Sequence, residues 1–136
     1  MKLYLKYLWI VLVVCTLTAC MNGGGDLAGK WQLRQYQYAD GTSEKVDSVF
    51  YNFQKGSFFC HMFVENGGVT TFFGNYSLKG AEISINFVAE SVNDKNYDTY
   101  FGWPEGKRTF KVEDLSYSSL RLEYEGTKSI FSKILR

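Results

Sequence analysis

Apolar and polar residues alternate along most of the chain after residue 27. The segments 82–87 and 119–125 show the alternation most clearly, with an apolar side chain at every second position. A period of two places one face of a strand in the core and the other face in water. A helical spacing of three and four residues is not sustained over two turns anywhere in this region. The pattern therefore predicts an all-β domain.

The alternation predicts eight strands bounded by turn residues. They are 30–38, 48–54, 57–64, 69–78, 82–87, 108–113, 119–124 and 128–135. Most of the links between them are short and contain glycine, which favours hairpins between antiparallel neighbours. These links are 55–56, 66–68, 80–81 and 125–126. We therefore expect an antiparallel meander in which consecutive strands lie side by side.

An eight-stranded meander can stay open, fold into a sandwich or close into a barrel, and closure alone removes both exposed edges. The Greek-key crossings of a sandwich need long connections. Only 39–47 and 88–107 are long in this chain. We therefore predict an eight-stranded antiparallel meander closed into a barrel, with a sandwich as the alternative.

The N-terminus has the order of a bacterial export signal. Lys2 and Lys6 precede an uncharged apolar run that is shorter than the roughly 18 residues needed to span a bilayer. Residues 17–20, Leu-Thr-Ala-Cys, resemble the bacterial lipobox at all four positions. The resemblance implies that residues 1–19 are a cleaved lipoprotein signal peptide and that Cys20 is lipidated. An ordinary secretory signal is the alternative.

Residues 20–26 combine the predicted lipidated cysteine with a flexible tether, because Gly23, Gly24 and Gly25 have no side chains to pack. Two acyl chains on Cys20 make a stable membrane anchor. Met21 is not the aspartate that retains many lipoproteins in the inner membrane. We therefore expect a lipid-anchored protein of the cell envelope, in the outer membrane, whose folded domain comprises residues 27–136.

Charge, cysteine and histidine content argue against several functions. Without Lys2 and Lys6 the 15 basic residues fall to 13, against 14 acidic residues, so we expect no nucleic-acid partner. Cys60 is the one cysteine after Cys20, and we expect it to be buried and unreactive. The single histidine, His61, is adjacent to Cys60 on a strand and points to the opposite face, so the two cannot share a catalytic or metal-binding role. We predict neither enzymatic activity nor a cofactor.

Two segments resemble a known family. Residues 27–31, Leu-Ala-Gly-Lys-Trp, are similar to the Gly-x-Trp element of the lipocalin and fatty-acid-binding superfamily, and residues 112–122 resemble the closing strands of small lipocalin-like lipoproteins from gram-negative bacteria. The resemblance implies a lipocalin-like barrel in which Gly29 allows a tight approach to the first strand and Trp31 plugs one end. It also implies a basic residue packed across the tryptophan. The candidates are Arg121, Lys133 and Arg136.

The segment 88–107 is the longest stretch without a predicted strand, and long segments in compact domains often carry function. It contains four aromatic residues, which either contact a small ligand or partner, or fold back over a barrel end. They are Tyr97, Tyr100, Phe101 and Trp103.

The same segment has oxygen-bearing side chains spaced as in an EF-hand calcium loop. They are Asp94, Asn96, Asp98 and Glu105. Thr99 stands where such a loop needs glycine, Pro104 precedes the last ligand, and no helix is predicted on either side. We therefore expect a polar surface loop here rather than a metal site.

Aromatic residues are also frequent on the strands between residues 50 and 76. Eight strands enclose room for side chains or for one small ligand, so a filled and a hollow barrel are both alternatives. The predicted strand 57–64 is apolar on both faces, which leaves one face for a loop or a partner. We therefore expect a non-catalytic, membrane-anchored binding module for a small apolar ligand or an envelope partner. The alternative is a structural or interaction lipoprotein that has a filled barrel and displays 88–107.

Overall fold

The computed structural model describes residues 26–135. The predicted signal peptide, Cys20 and the glycines of the predicted tether lie outside this range. The strands are β1 Gly29–Gln37, β2 Ser43–Lys45, β3 Val49–Gln54, β4 Ser57–Phe63, β5 Val69–Lys79, β6 Glu82–Phe87, β7 Lys107–Leu115, β8 Ser119–Tyr124 and β9 Thr127–Lys133. Two short helices, α1 Ala89–Asn93 and α2 Tyr97–Tyr100, and a 3-10 turn, Pro104–Gly106, lie between β6 and β7.

The sheet closes on itself. From β3 to β9 each strand pairs antiparallel with the next, and β1 pairs with both β3 and β9. Because the first and last strands are hydrogen-bonded to each other, neither presents an open edge. The predicted all-β fold, an eight-stranded antiparallel meander closed into a barrel, is confirmed.

The second strand of the barrel is longer than predicted and is interrupted. β2 pairs with the last residues of β1, whereas β3 pairs with its first residues, Gly29 to Gln32. Between them the amide of Val46 donates a hydrogen bond of 2.9 Å to the carbonyl oxygen of Arg34. β2 and β3 therefore follow the same side of β1 as one broken strand, and the barrel still has eight. The sequence pattern missed β2 because its three residues are all exposed and carry no apolar alternation.

The segment between β6 and β7 is partly helical, and α1 ends directly before Asp94, so the expectation that no helix flanks residues 94–105 was wrong on that side. α1 has five residues and α2 has four, which is too short for a helical period to show in the sequence. α1 is attached to the barrel through Ser91, whose hydroxyl oxygen accepts a hydrogen bond of 2.8 Å from the amide of Phe73. Phe73 lies one residue beyond the last pair between β5 and β6, so the hydrogen bonds between these strands leave its amide without an acceptor. Ser91 of the helix supplies that acceptor.

The up-and-down path of the chain gives the barrel two distinct ends. Asp26 and the β3–β4, β5–β6 and β7–β8 turns share the end that we call the closed end. The β1–β2 and β4–β5 connections, the helical segment and the β8–β9 turn share the other end, which we call the mouth.

The closed end is plugged by Trp31, which is fully buried. Its indole nitrogen donates a hydrogen bond of 2.9 Å to the carbonyl oxygen of Leu27, and Lys133 Nζ lies 5.4 Å from the centroid of its ring. Lys133 is therefore the basic residue across the tryptophan, whereas Arg121 is exposed and Arg136 lies outside the described residues. Gly29 has a φ of 127°, and a Cβ there would lie 2.9 Å from Lys133 Cε. Both observations explain why glycine occupies this position.

Inward-facing apolar side chains fill the barrel from the closed end to its middle. The largest fully buried ones, besides Trp31, are Leu33, Phe53, Phe58, Cys60, Phe72, Ile83, Ile85, Leu120, Leu122 and Phe131. As predicted from the alternation, Cys60 is buried and His61 lies on the opposite face, with its Nδ1 2.8 Å from Thr71 Oγ1. Burial raises the pKa of the Cys60 thiol well above its ordinary value.

We predict that Cys60 does not react with a thiol reagent in the folded domain. The side chain is inaccessible and its raised pKa keeps the thiolate population low at neutral and mildly alkaline pH. Labelling of residues 26–136 with iodoacetamide, followed by mass spectrometry, should give one adduct in guanidinium chloride and none in buffer. Complete labelling in buffer would contradict the buried position.

We predict that Gly74→Ala destabilises the barrel strongly. Gly74 is buried on β5 between Phe58 and Phe87, and a Cβ there would overlap the carbonyl oxygen of Asn86, which is backbone and cannot rotate away. We expect the free energy of unfolding to fall by about 3 kcal/mol, at the upper end of the usual cost of overpacking. Urea unfolding followed by tryptophan fluorescence measures this change.

Gly68→Ala is the matched control. Gly68 has no positive φ, and a Cβ there would meet only Val64 Cγ2, at 3.3 Å. We expect its effect to stay within about 0.5 kcal/mol, as for most surface substitutions. Equal unfolding midpoints for the two variants would show that β5 and β6 are not as close at Gly74 as the structure places them.

Candidate functional site

A pocket of about 360 Å³ lies at the mouth and is partly open to solvent. Most of its walls are aromatic. The lining residues are Tyr36, Tyr38, Tyr51, Tyr100, Phe101, Trp103, Arg108, Phe110, Tyr124, Glu125, Thr127 and Ser129. Its volume is near the lower limit for small-molecule sites, which is roughly 300 Å³. The barrel is therefore filled at the closed end and hollow at the mouth.

An irregularity in β1 directs Tyr36 into the pocket. Trp31 and Leu33 face inward, and the register with β9 then shifts between Leu33 and Gln35, so Arg34 is the extra residue of a β-bulge. After the bulge the inward positions are those of Tyr36 and Tyr38. Uninterrupted alternation would instead have turned glutamine side chains into the barrel.

The hydroxyls of Tyr36 and Tyr51, which line the pocket, are neutral at physiological pH. Burial raises the pKa of Tyr36 to about 12 and raises that of Tyr51 well above its ordinary value. A protonated phenol both donates and accepts hydrogen bonds. These two groups can therefore offer a bound molecule a donor or an acceptor beside the aromatic rings of the walls.

The predicted aromatic residues of the segment 88–107 fold back over the mouth. Tyr97 and Trp103 are buried, and the Tyr97 hydroxyl donates a hydrogen bond to the Trp103 carbonyl oxygen. The Phe101 ring packs 4.7 Å from that of Phe87, whereas Tyr100 is 40% exposed. Tyr100, Phe101 and Trp103 line the pocket, and Tyr97 supports them from behind. The structure thus brings three of the four predicted residues to one site.

Arg108 is the residue of this site that the sequence analysis missed. Its guanidinium carbon lies 3.9 Å from the ring centroid of Tyr124 and 5.2 Å from that of Trp103. Its Nε is buried and has no hydrogen-bond partner among the described residues. Among residues 26–135 the one salt bridge is between Lys128 and Glu113. No carboxylate in this part of the chain therefore lies within 4.0 Å of the Arg108 guanidinium.

The sequence did contain a signal for Arg108. Arg108, Phe110 and Val112 are alternate residues of β7, so their side chains lie on the same face of the strand, which is the interior face. A charged residue at an inward position of an amphipathic strand is uncommon, because burial penalises an unpaired charge. As the first residue of the predicted strand 108–113, however, an arginine resembles an ordinary polar strand end. Tyr36 had no such signal, because a bulge cannot be recognised from apolar alternation alone.

The calcium candidates do not converge. Asp94 accepts a hydrogen bond of 2.8 Å from the amide of Asn96, and Asp98 and Glu105 lie farther along, in α2 and in the 3-10 turn. Between residues 26 and 135 no group of three or more acidic, histidine or cysteine side chains is placed to hold a metal ion.

The outer face of β4 and β5 carries exposed apolar side chains. Phe73 is 56% exposed, and Phe63 and Val69 are each 52% exposed. His61, on the same face, is partly buried, and this burial, together with the charge of Lys30, lowers its pKa. This surface is the second apolar face that the sequence predicts for the strand after residue 57.

The chain matches known proteins over most of its length. Residues 11–134 match the model of a family described as a lipocalin-like domain. A lipocalin-like protein from Bacteroides uniformis, known from a crystal structure, has 85% sequence identity to this chain and a TM-score of 0.79. The match covers 81% of this chain and 100% of the crystallised chain. An uncharacterized protein from Bacteroides eggerthii is 48% identical, with a TM-score of 0.73, over 80% of this chain and 100% of that chain.

No curated protein matches the chain. The family match spans both the Gly29–Trp31 plug of the closed end and the aromatic mouth, so it covers both ends of the barrel. The chain belongs to the family of lipocalin-like domains.

Proposed function

We propose that this protein is a membrane-anchored binding module that holds a small apolar ligand in the mouth pocket. The observation that carries the proposal is the pocket of about 360 Å³ with aromatic walls at one end of an otherwise filled barrel. Lipocalin-like domains typically bind small hydrophobic ligands and are generally not enzymes, which supports the same conclusion.

The walls of the pocket are suited to a flat or aromatic ligand. Aromatic side chains offer large apolar surfaces and lose little conformational entropy when they contact a ligand. Trp103 and Phe101 are fixed by packing against Phe87, at ring distances of 5.0 and 4.7 Å. A pocket whose walls are already ordered binds more tightly, because less entropy is lost on binding.

The anchor in this proposal is Cys20, whose thiol is alkylated by diacylglycerol before residues 1–19 are cleaved off. Between residues 26 and 135 no helix is long and apolar enough to cross a bilayer. Asp26 lies at the closed end, opposite the mouth. A tether that leaves the barrel there holds the closed end nearer to the membrane and leaves the mouth accessible from the aqueous side. In the outer membrane, this arrangement suits capture of a ligand from solution.

A second candidate function is contact with another envelope component through the outer face of β4 and β5. Three large apolar side chains, Phe63, Val69 and Phe73, are more than half exposed there. Exposed apolar side chains grouped on one face often mark an interaction site. Crosslinking of whole cells that carry wild type or Phe73→Ser tests it. An identical set of crosslinked partners would contradict this function.

We predict that the neutral dye N-phenylnaphthylamine binds in the pocket and fluoresces more strongly there. The test uses residues 26–136, because a relative with 85% identity crystallised as a chain of matching length. Ser129→Phe should weaken dye affinity by about tenfold or more, since Ser129 lines the pocket and a phenyl ring there occupies the space of the ligand. A fluorescence titration measures the affinity.

Phe73→Ser is the control for this titration, because Phe73 lies outside the barrel and does not line the pocket. Its dye affinity should equal that of the wild type. Circular dichroism establishes that both variants are folded. If Phe73→Ser abolishes dye binding and Ser129→Phe does not, the dye binds to the outer face and the pocket has lost its main support as a ligand site.

We predict that Cys20→Ser abolishes lipid addition, because the diacylglycerol is attached to the cysteine thiol. Cells labelled with a radioactive fatty acid should show label in the wild type and none in the variant. The variant should remain as an uncleaved precursor or become soluble. Cys15→Ser is the matched control and should keep its label. An unlabelled wild type would make this a plain secreted protein.

A further inference from the structure

We propose that the ligand of the mouth pocket carries an acidic group, such as a carboxylate or sulfonate oxyanion, that pairs with Arg108. The inference rests on the proposed function, because it assigns the chemistry of a ligand bound in that pocket. The ligand would be an amphipathic acid whose apolar body contacts the aromatic walls.

The first observation is that Arg108 is incompletely satisfied by the protein. A guanidinium has five N–H donors in a planar fork. Its Nε is buried without a partner in the described part of the chain, and no carboxylate there lies within 4.0 Å. Tyr124 and Trp103 contact the guanidinium through their ring faces, which attract the charge but accept no conventional hydrogen bond.

The second observation is the position of this guanidinium in the pocket. Arg108 is itself a lining residue, and its neighbours Tyr124, Trp103 and Phe110 line the pocket too. An oxyanion that enters the mouth can therefore reach the guanidinium while the rest of the molecule lies against aromatic rings. Arginine is well suited to this role, because two parallel N–H groups match the two oxygens of a carboxylate.

The remaining charges near the pocket also favour an anion at Arg108. Glu125 is the other charged lining residue and lies in the exposed β8–β9 turn. Glu44 accepts a hydrogen bond of 2.8 Å from the hydroxyl of Tyr38, which is exposed. Both carboxylates are therefore solvated, and Arg108 supplies the only partly buried charge among the lining residues. The protonated hydroxyls of Tyr36 and Tyr51 add hydrogen-bond donors to the same walls.

The test compares two dyes that differ only by a sulfonate. Anilinonaphthalene sulfonate is N-phenylnaphthylamine with one added acidic group. In residues 26–136, Arg108→Met should weaken binding of the sulfonate by about tenfold or more, since a hydrogen-bonded charge is lost. Binding of the neutral dye should change by less than about threefold, because Met preserves an apolar wall. Arg108→Lys should retain part of the sulfonate affinity, because it keeps the charge but not the fork.

Glu125→Gln provides a second variant that does not alter Arg108. Removal of this rim charge should strengthen binding of the sulfonate dye more than binding of the neutral dye, because only the sulfonate is repelled by the carboxylate. In the wild type, added salt should weaken binding of the sulfonate dye but not of the neutral dye, since salt screens the attraction between charges. These two measurements keep the proposal testable if Arg108→Met does not fold.

The outcomes separate the two proposals. Suppose that the neutral dye binds in the pocket, but that the affinity for the sulfonate dye changes neither in Arg108→Met nor in Glu125→Gln nor with added salt. The acidic-ligand proposal is then wrong, whereas the proposed binding module stands. If neither dye binds in the pocket of the wild type, the proposed function itself has failed. If the sulfonate alone is weakened by Arg108→Met, Arg108 is the anion-binding residue.

Discussion

The hydrogen-bonded pairing of β1 with β9 is the constraint on which the rest of the structure depends. It joins the two ends of the folded chain and satisfies backbone groups that an open sheet would expose. Its register also assembles both ends of the barrel, because it pairs Trp31 with Lys133 at the closed end and Tyr36 with Ser129 at the mouth. A slip of one residue would turn every inward side chain of β1 to the solvent.

This pairing is not uniform, and its one irregularity separates the filled part of the barrel from the hollow part. Before the bulge at Arg34, the inward side chains of β1 are Trp31 and Leu33, which are fully buried. After the bulge the inward side chain of β1 is Tyr36, which lines the pocket together with Tyr38, the residue just beyond the end of the strand. The shift of one residue changes the same strand from a source of packing into the wall of a site, a frequent role for bulges near functional sites.

The strands that are defined by local alternation of apolar and polar residues could be predicted from the sequence. The features that depend on contacts between residues distant in the chain could not. Segments 82–87 and 119–124 were recognised because one face is buried and the other is wet. The exposed β2 and the two one-turn helices gave no periodic signal, and the bulge at Arg34 is defined only by its register with β9. Within the site, the aromatic residues of the segment 88–107 were evident from their clustering. Arg108 could be recognised only from its position two residues before Phe110, which places both side chains on the inward face of β7.

The energetics of Arg108 differ from those of a side chain that only packs in the core. Each contact of its guanidinium with Tyr124 and Trp103 contributes about 0.5–2 kcal/mol. The desolvation of a fully buried charge costs several kcal/mol, and Arg108, which is only partly buried, bears a fraction of that cost. A hydrophobic residue at this inward position would avoid the cost altogether and would extend the core toward the mouth. Stability alone therefore does not explain an arginine here, whereas a ligand with an opposite charge would supply the partner that the barrel itself does not.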